Sequence, residues 1–178
     1  MKTRLPVLML ALTLIASTGR AKLPSENAMK LSSPDFSEGK NIPERFTCDG
    51  KDISPTLKID GIPKGAKSLV LIVDDPDAPG GNFTHWLIWN IVPDLTEIVA
   101  NKLPAHALQG VNDFGKSRYS GPCPPAGVHR YYFRLYALDT TLTLPQASKR
   151  KAVDSAIGGH IIGEATLMGR YGRKSSKR

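Results

Sequence analysis

Asp75-Pro76-Asp77-Ala78-Pro79, followed after a short glycine-containing loop by His85-Trp86, sets two carboxylates and a histidine close together in the chain. A later cluster, Pro124-Pro125-Ala126-Gly127-Val128-His129-Arg130-Tyr131, answers it with another histidine. Imidazoles can donate hydrogen bonds to a small anion, and carboxylates beside them fix their tautomer or charge. The pairing therefore points to a pocket for a small anion. The competing chemistry is hydrolysis or isomerisation, with His85 or His129 as general base oriented by Asp75. That reading lacks a persuasive nucleophile, because the chain has no Gly-x-Ser-x-Gly and Ser120 beside Gly121 is not recognisably activated. Aspartate before proline is also an ordinary turn starter, which explains one of the two aspartates better than both. A calcium loop would require further acids at set spacing, and none follows.

Cys48 and Cys123 are the cysteines of the chain, each in a loop bearing Gly or Pro next to a pocket motif. In an exported protein an even count permits one disulfide, here Cys48 to Cys123, which would tie the two loops together. The other reading is a pair of buried thiols that merely lie near each other. Neither cysteine has a second cysteine or histidine at metal-ligand spacing, so no metal and no cofactor is expected.

The elements that must position these residues are mostly strands. Ser68 to Val73 is an apolar run, Phe83 to Val92 alternates yet is apolar on both faces, and Arg130 to Leu138 is rich in aromatic and branched residues. Turn-forming groups separate them at Asp60-Gly61-Ile62-Pro63, Asp75 to Gly81, Pro93-Asp94 and Gly121 to Gly127. Ala147 to Ile157 reads as a helix closed by Gly158-Gly159. The expected fold is mostly β, an antiparallel β-sandwich with a small helical element near the C-terminus. With period two, His85 shares a face with Phe83, Leu87 and Trp89, and His129 with Tyr131, Phe133 and Leu135.

Residues 1–21 read as a secretory leader, with Lys2 and Arg4 ahead of the apolar stretch Leu5 to Ala16 and a small-x-small site at Gly19-Arg20-Ala21. The apolar stretch falls short of the roughly 20 residues of a spanning helix. The expectation is export to the periplasm or beyond, a mature chain beginning at Lys22 without an integral membrane span, and one domain over residues 22–170. The formal charge of +8 is accounted for by eight terminal residues: Lys2, Arg4 and Arg20, then Arg170, Arg173, Lys174, Lys177 and Arg178. The body is balanced, which argues against a nucleic-acid face, and residues 171–178 read as a basic tail.

Six ordered motifs carry a resemblance: Phe46-Thr47-Cys48-Asp49-Gly50 with Ile53-Ser54-Pro55, Asp75 to Pro79, His85-Trp86, Asn112-Asp113-Phe114-Gly115, Gly121 to Pro125, and His129-Arg130-Tyr131, with Gly159-His160 and Glu164-Ala165 beyond them. In this order they resemble the phosphatidylethanolamine-binding protein family, most closely its bacterial and archaeal Raf kinase inhibitor-like branch. The resemblance implies the β-sandwich fold and an anion pocket lined by Asp75, His85, His129 and Tyr131, with Asp77, Cys123 and Pro124 at its rim. It also implies a cis bond at Ala78-Pro79. The expected ligand is a phosphate-type anion or phospholipid headgroup, bound without turnover, with a protein partner outside the cytoplasm. Kinase inhibition is not carried over, because it depends on surfaces that these motifs do not specify.

Overall fold

The computed structural model describes residues 28–173. The leader expected over residues 1–21, the start at Lys22 and residues 174–178 of the basic tail lie outside the described residues. Among the described residues eight strands and one α-helix follow in order, with a single 3-10 turn at Glu44–Phe46 between the first two strands: β1 (Lys30–Ser32), β2 (Leu57–Asp60), β3 (Ser68–Asp75), β4 (Phe83–Ile91), β5 (Glu97–Ile98), β6 (Leu108–Gln109), β7 (His129–Leu138), α1 (Arg150–Ile157) and β8 (Ile161–Tyr171). All strand pairs are antiparallel, in a small sheet β1-β2-β5 and a larger sheet β6-β4-β3-β7-β8.

The apolar run in β3 is explained by cover on both faces. Leu69, Leu71 and Val73 point toward the small sheet and meet Leu57, Ile59, Phe133 and Leu135 in the main core. Val70 and Ile72 point the other way, joining Leu87, Trp89 and Leu138 beneath Val153 and Ile157 of α1. A side chain fully buried in this way contributes roughly 1.5–3 kcal/mol. This arrangement is the expected mostly β, antiparallel sandwich with one small helix.

The helix begins later than the sequence predicts, at Arg150 rather than Ala147. Residues Ala147 to Lys149 are recruited by a neighbouring strand end instead: Ala147 N–H donates to the Gln109 carbonyl at 3.0 Å and Val111 N–H to that of Ser148 at 3.1 Å. Ala147 sits at φ 66°, outside helical conformation. The last strand was not anticipated. β8 buries Ala165, Leu167 and Tyr171 while exposing Glu164, Thr166 and Arg170. It runs through Tyr171, so the sheet extends into what the sequence reads as tail. Arg173 is also tied down, its Nη2 lying 2.9 Å from Asp49 Oδ1.

Candidate ligand-binding site

Asp75 ends β3 and His129 begins β7, and antiparallel pairing of these neighbours brings the two ends together. Nδ1 of His129 lies 2.8 Å from Asp75 Oδ2. The other oxygen, Oδ1, accepts from the Asp77 N–H at 2.8 Å, closing a local turn that stiffens the carboxylate. Both residues are buried, at 3% exposure for Asp75 and 8% for His129.

His85 reaches the same place by a break in strand regularity. In the β3–β4 register Asp74 faces Thr84 while Val73 faces Trp86, so His85 is the extra residue of a bulge. The bulge inverts the alternation. Leu87 and Trp89 pack under the helix, whereas His85 turns to the opposite side, with its ring 5.2 Å from that of Tyr131. Strict period two had grouped His85 with Leu87 and Trp89, and that part of the expectation is wrong. A strand can change faces by inserting one residue, and the side-chain pattern carries no mark of it.

The loop from Asn112 to Ser120 holds the bulge in place. Thr84 N–H donates to Asp113 Oδ2 at 2.6 Å, and Asp113 N–H returns a bond to the Thr84 carbonyl at 3.0 Å. Asn112 Nδ2 donates to the His85 carbonyl at 3.1 Å, the Arg118 carbonyl at 2.9 Å and Ser120 Oγ at 3.1 Å. His85 Nδ1 donates to the Ser120 carbonyl at 2.7 Å. Gly121 follows because the loop passes close to its neighbour: a Cβ there would stand 2.2 Å from the Phe46 carbonyl oxygen.

A cavity of about 140 Å³ opens between these elements, lined by Asp75, Ala78, Pro79, Phe83, His85, Phe114, Cys123, Pro124, Pro125 and His129. Five of the seven sequence-predicted site residues stand on its wall: Asp75, His85, Cys123, Pro124 and His129. Tyr131 lies behind it, fully buried, with its ring near both imidazoles. Its hydroxyl has no hydrogen-bond partner among the described residues. Burial first, and then the charge of Asp75, push the Tyr131 phenol up, so it stays protonated. Asp77 faces away from the cavity. Its Oδ1 meets Arg130 Nη2 at 2.6 Å, and this hydrogen bond above all holds the Asp77 pKa down at about 2. Burial lowers the His85 pKa, against the opposing effects of the Ser120 carbonyl and of Asp75.

Cys48 and Cys123 are joined by a disulfide across a separation of 75 residues, with Cα atoms 5.4 Å apart. The Ala78–Pro79 bond is not cis, contrary to what the resemblance implied, since the described residues contain no cis peptide. Ala78 offers its carbonyl to Gly81 N–H at 3.0 Å, which puts Pro79 at the second position of a turn where a trans proline fits.

Sequence reasoning missed the aromatic wall. Phe83 and Phe114 pack edge to face at 4.8 Å and flank the His85 ring at 5.3 and 5.5 Å. The signal was a large aromatic inside the turn Asn112-Asp113-Phe114-Gly115, where a solvated loop has no use for one. A second cavity, of about 150 Å³, is lined by Asp52, Trp86, Arg118 and Tyr119 among others. Of its three charged residues, Asp52 and Arg118 are paired with each other, Arg118 Nη1 lying 3.0 Å from Asp52 Oδ2, and Lys102 is the third. Its lining holds no histidine, so the candidate site is taken at the histidine cavity.

Residues 32–172 match the family model described as phosphatidylethanolamine-binding protein. The chain belongs to this family. Among relatives of the phosphatidylethanolamine-binding protein family, a UPF0098 protein of Methanothermobacter thermautotrophicus is 52% identical over 150 residues, covering 82% of this chain and 99% of the relative. One from Pyrococcus horikoshii is 45% identical over 98% of this chain and 91% of its own length. Of solved structures, a putative phosphatidylethanolamine-binding protein homologue from Chlamydia trachomatis superposes with a TM-score of 0.80 at 42% identity, covering 83% of this chain and 99% of that one. Escherichia coli YbcL, described as a member of the mammalian family, gives 0.78 at 31% identity, covering 82% and 99%.

Proposed function

We propose that this family member is an exported, non-enzymatic binding protein whose pocket takes a small phosphate-type anion or a phospholipid headgroup. One observation carries the reading: two buried imidazoles and a buried carboxylate converge on a single cavity from three different segments. A charged imidazole donates a charge-assisted hydrogen bond to a ligand oxygen, while Asp75 and Ser120 hold the two rings in register. The apolar wall of Phe83, Phe114 and Pro124 strengthens such a bond by excluding water. Binding is favoured over covalent hydrolysis because the one sulfur on the wall, that of Cys123, is held in the disulfide. Export and action on a protein partner outside the cytoplasm belong to the same proposal. They are supported by the leader pattern in residues 1–21 and by a disulfide suited to an oxidising compartment.

Calorimetric titration with phosphate and phosphorylethanolamine tests it. Saturable binding without turnover is expected, weakening as pH rises through the imidazole range. Replacing His85 or His129 by alanine is expected to cost on the order of 1.5–3 kcal/mol of binding. Equal affinity in wild type and both variants would show that the histidines only fill the core, and turnover lost with either histidine would establish an enzyme instead.

A further inference from the structure

The two imidazoles are not equivalent. Nδ1 of His85 lies 2.7 Å from a backbone carbonyl, which can only accept, so Nδ1 carries the proton and Nε2 of the neutral ring is a bare acceptor. His129 meets the Asp75 carboxylate through its own Nδ1 at 2.8 Å, and its Nε2 becomes a donor in the imidazolium form. His85 is 3% exposed, its ring between Phe83, Phe114 and Tyr131, where a second proton is disfavoured by desolvation. The pocket thus presents an acceptor on one side and a donor on the other.

Building on the anion reading above, we propose that the preferred ligand is a phosphomonoester bound as its singly protonated monoanion. Its P–O–H donates to Nε2 of His85 while a charged oxygen accepts from Nε2 of His129. No bond is made or broken. A phosphodiester, the form the phosphate takes within an intact phospholipid, or a sulfate ester has no such proton and would set lone pair against lone pair at His85. Of the two ligand sources named above, the free phosphomonoester is therefore the preferred one. Charge points the same way, because a dianion beside Asp75 in a small cavity walled by Ala78, Pro79, Phe83 and Phe114 is costlier to desolvate than a monoanion.

The pH response follows from the groups that face His85. These are Asp75 from β3, His129 and Tyr131 from β7, and Asp113 with the Ser120 and Gly121 carbonyls from the loop packed against the bulge. Tyr131 stays protonated throughout. A phosphomonoester loses its second proton at about pH 6. Affinity therefore falls above that pH as the ligand loses the donor, and falls well below it as His85 gains a competing proton.

Methyl phosphate, methyl sulfate and dimethyl phosphate, titrated calorimetrically into the wild-type protein near that pH, provide the test. The first two have nearly the same shape and, as monoanions, the same charge, and differ by the ligand proton. Methyl phosphate is expected to bind about tenfold or more tightly than either of the others, the cost of leaving a buried acceptor unpaired. In His85→Gln, whose amide can turn either its oxygen or its N–H to the ligand, the preference for methyl phosphate over methyl sulfate is expected to fall toward unity. Equal wild-type affinities for methyl phosphate and either competitor would overturn the proton-matched ligand and leave the anion reading standing. Failure of all three to bind would overturn both.

Discussion

His129 Nδ1 lies 2.8 Å from Asp75 Oδ2, joining the first residue of β7 to the last residue of β3 at one end of the larger sheet. The same carboxylate caps the Asp77 N–H through its other oxygen, so Asp75 fixes both a ring of the pocket and the turn beside it.

Replacing Asp75 by alanine leaves a buried imidazole N–H and a backbone N–H without acceptors. A loss of about 2–4 kcal/mol in stability is expected, together with loss of anion binding. Asp77→Ala is the contrast, since its partner Arg130 has a side chain 48% exposed. Solvent screens that pair, and a cost of about 1 kcal/mol or less is expected with affinity nearly unchanged. Urea unfolding and titration of both variants check the difference.

Burial lowers the His85 pKa below its ordinary value of 6.5, so the sign of its pH effect is defined. Just below 6.5 the unfolded chain binds more protons than the folded one. Stability contributed by the neutral ring is therefore complete above that pH and is lost as pH falls toward the folded-state pKa. Melting curves from neutral to mildly acid pH should show a steeper decline for wild type than for His85→Gln. Parallel declines would show that the ring titrates alike in both states.

Asn112 is 3% exposed and its amide nitrogen serves three acceptors. Asn112→Asp keeps the shape but turns an acceptor toward those same oxygens. The variant is expected to lose more than about 2 kcal/mol of stability. Because the loop carries Phe114 and the Ser120 carbonyl, ligand binding should fall as well. An unfolding midpoint and affinity equal to wild type would show that the loop is held by other contacts.

Opening the Cys48–Cys123 disulfide relaxes a loop of 75 residues in the unfolded chain. The double variant Cys48→Ser, Cys123→Ser is expected to be about 4 kcal/mol less stable. Binding by the folded fraction should change little, because Cys48 N–H still reaches the Pro122 carbonyl at 3.1 Å and Gly121 N–H still reaches Asp52 Oδ1 at 2.6 Å. Denaturant unfolding and calorimetry separate the two effects.

Legibility in the sequence followed burial. The central strands β3, β4 and β7 stood out because both of their faces, or one unbroken face, must leave water, and long apolar runs are how a chain meets that requirement. β8 did not stand out. As an edge strand it keeps Glu164, Thr166 and Arg170 in solvent, and Gly163 and Gly169 interrupt its alternation where Pro63 and Ile42 press against the backbone. The start of the helix was misplaced because Ala147 is a good helix former that is held at φ 66° by contacts with a distant strand end.

By residue type and order alone, the sequence determined the family, the mostly β class and the chemical inventory of the site: Asp75, His85, His129, Tyr131 and a cysteine pair in facing loops. Tertiary structure alone decided how that inventory is used. It turned His85 across the sheet with a one-residue bulge, gave Asp75 to His129 and Asp77 to Arg130, moved Tyr131 behind the wall and brought Phe83 and Phe114 to its front. The physical reason is that residue types set what a side chain can donate, accept or bury. Which partner it meets depends on strand register and on hydrogen bonds between segments tens of residues apart, and no local pattern encodes these.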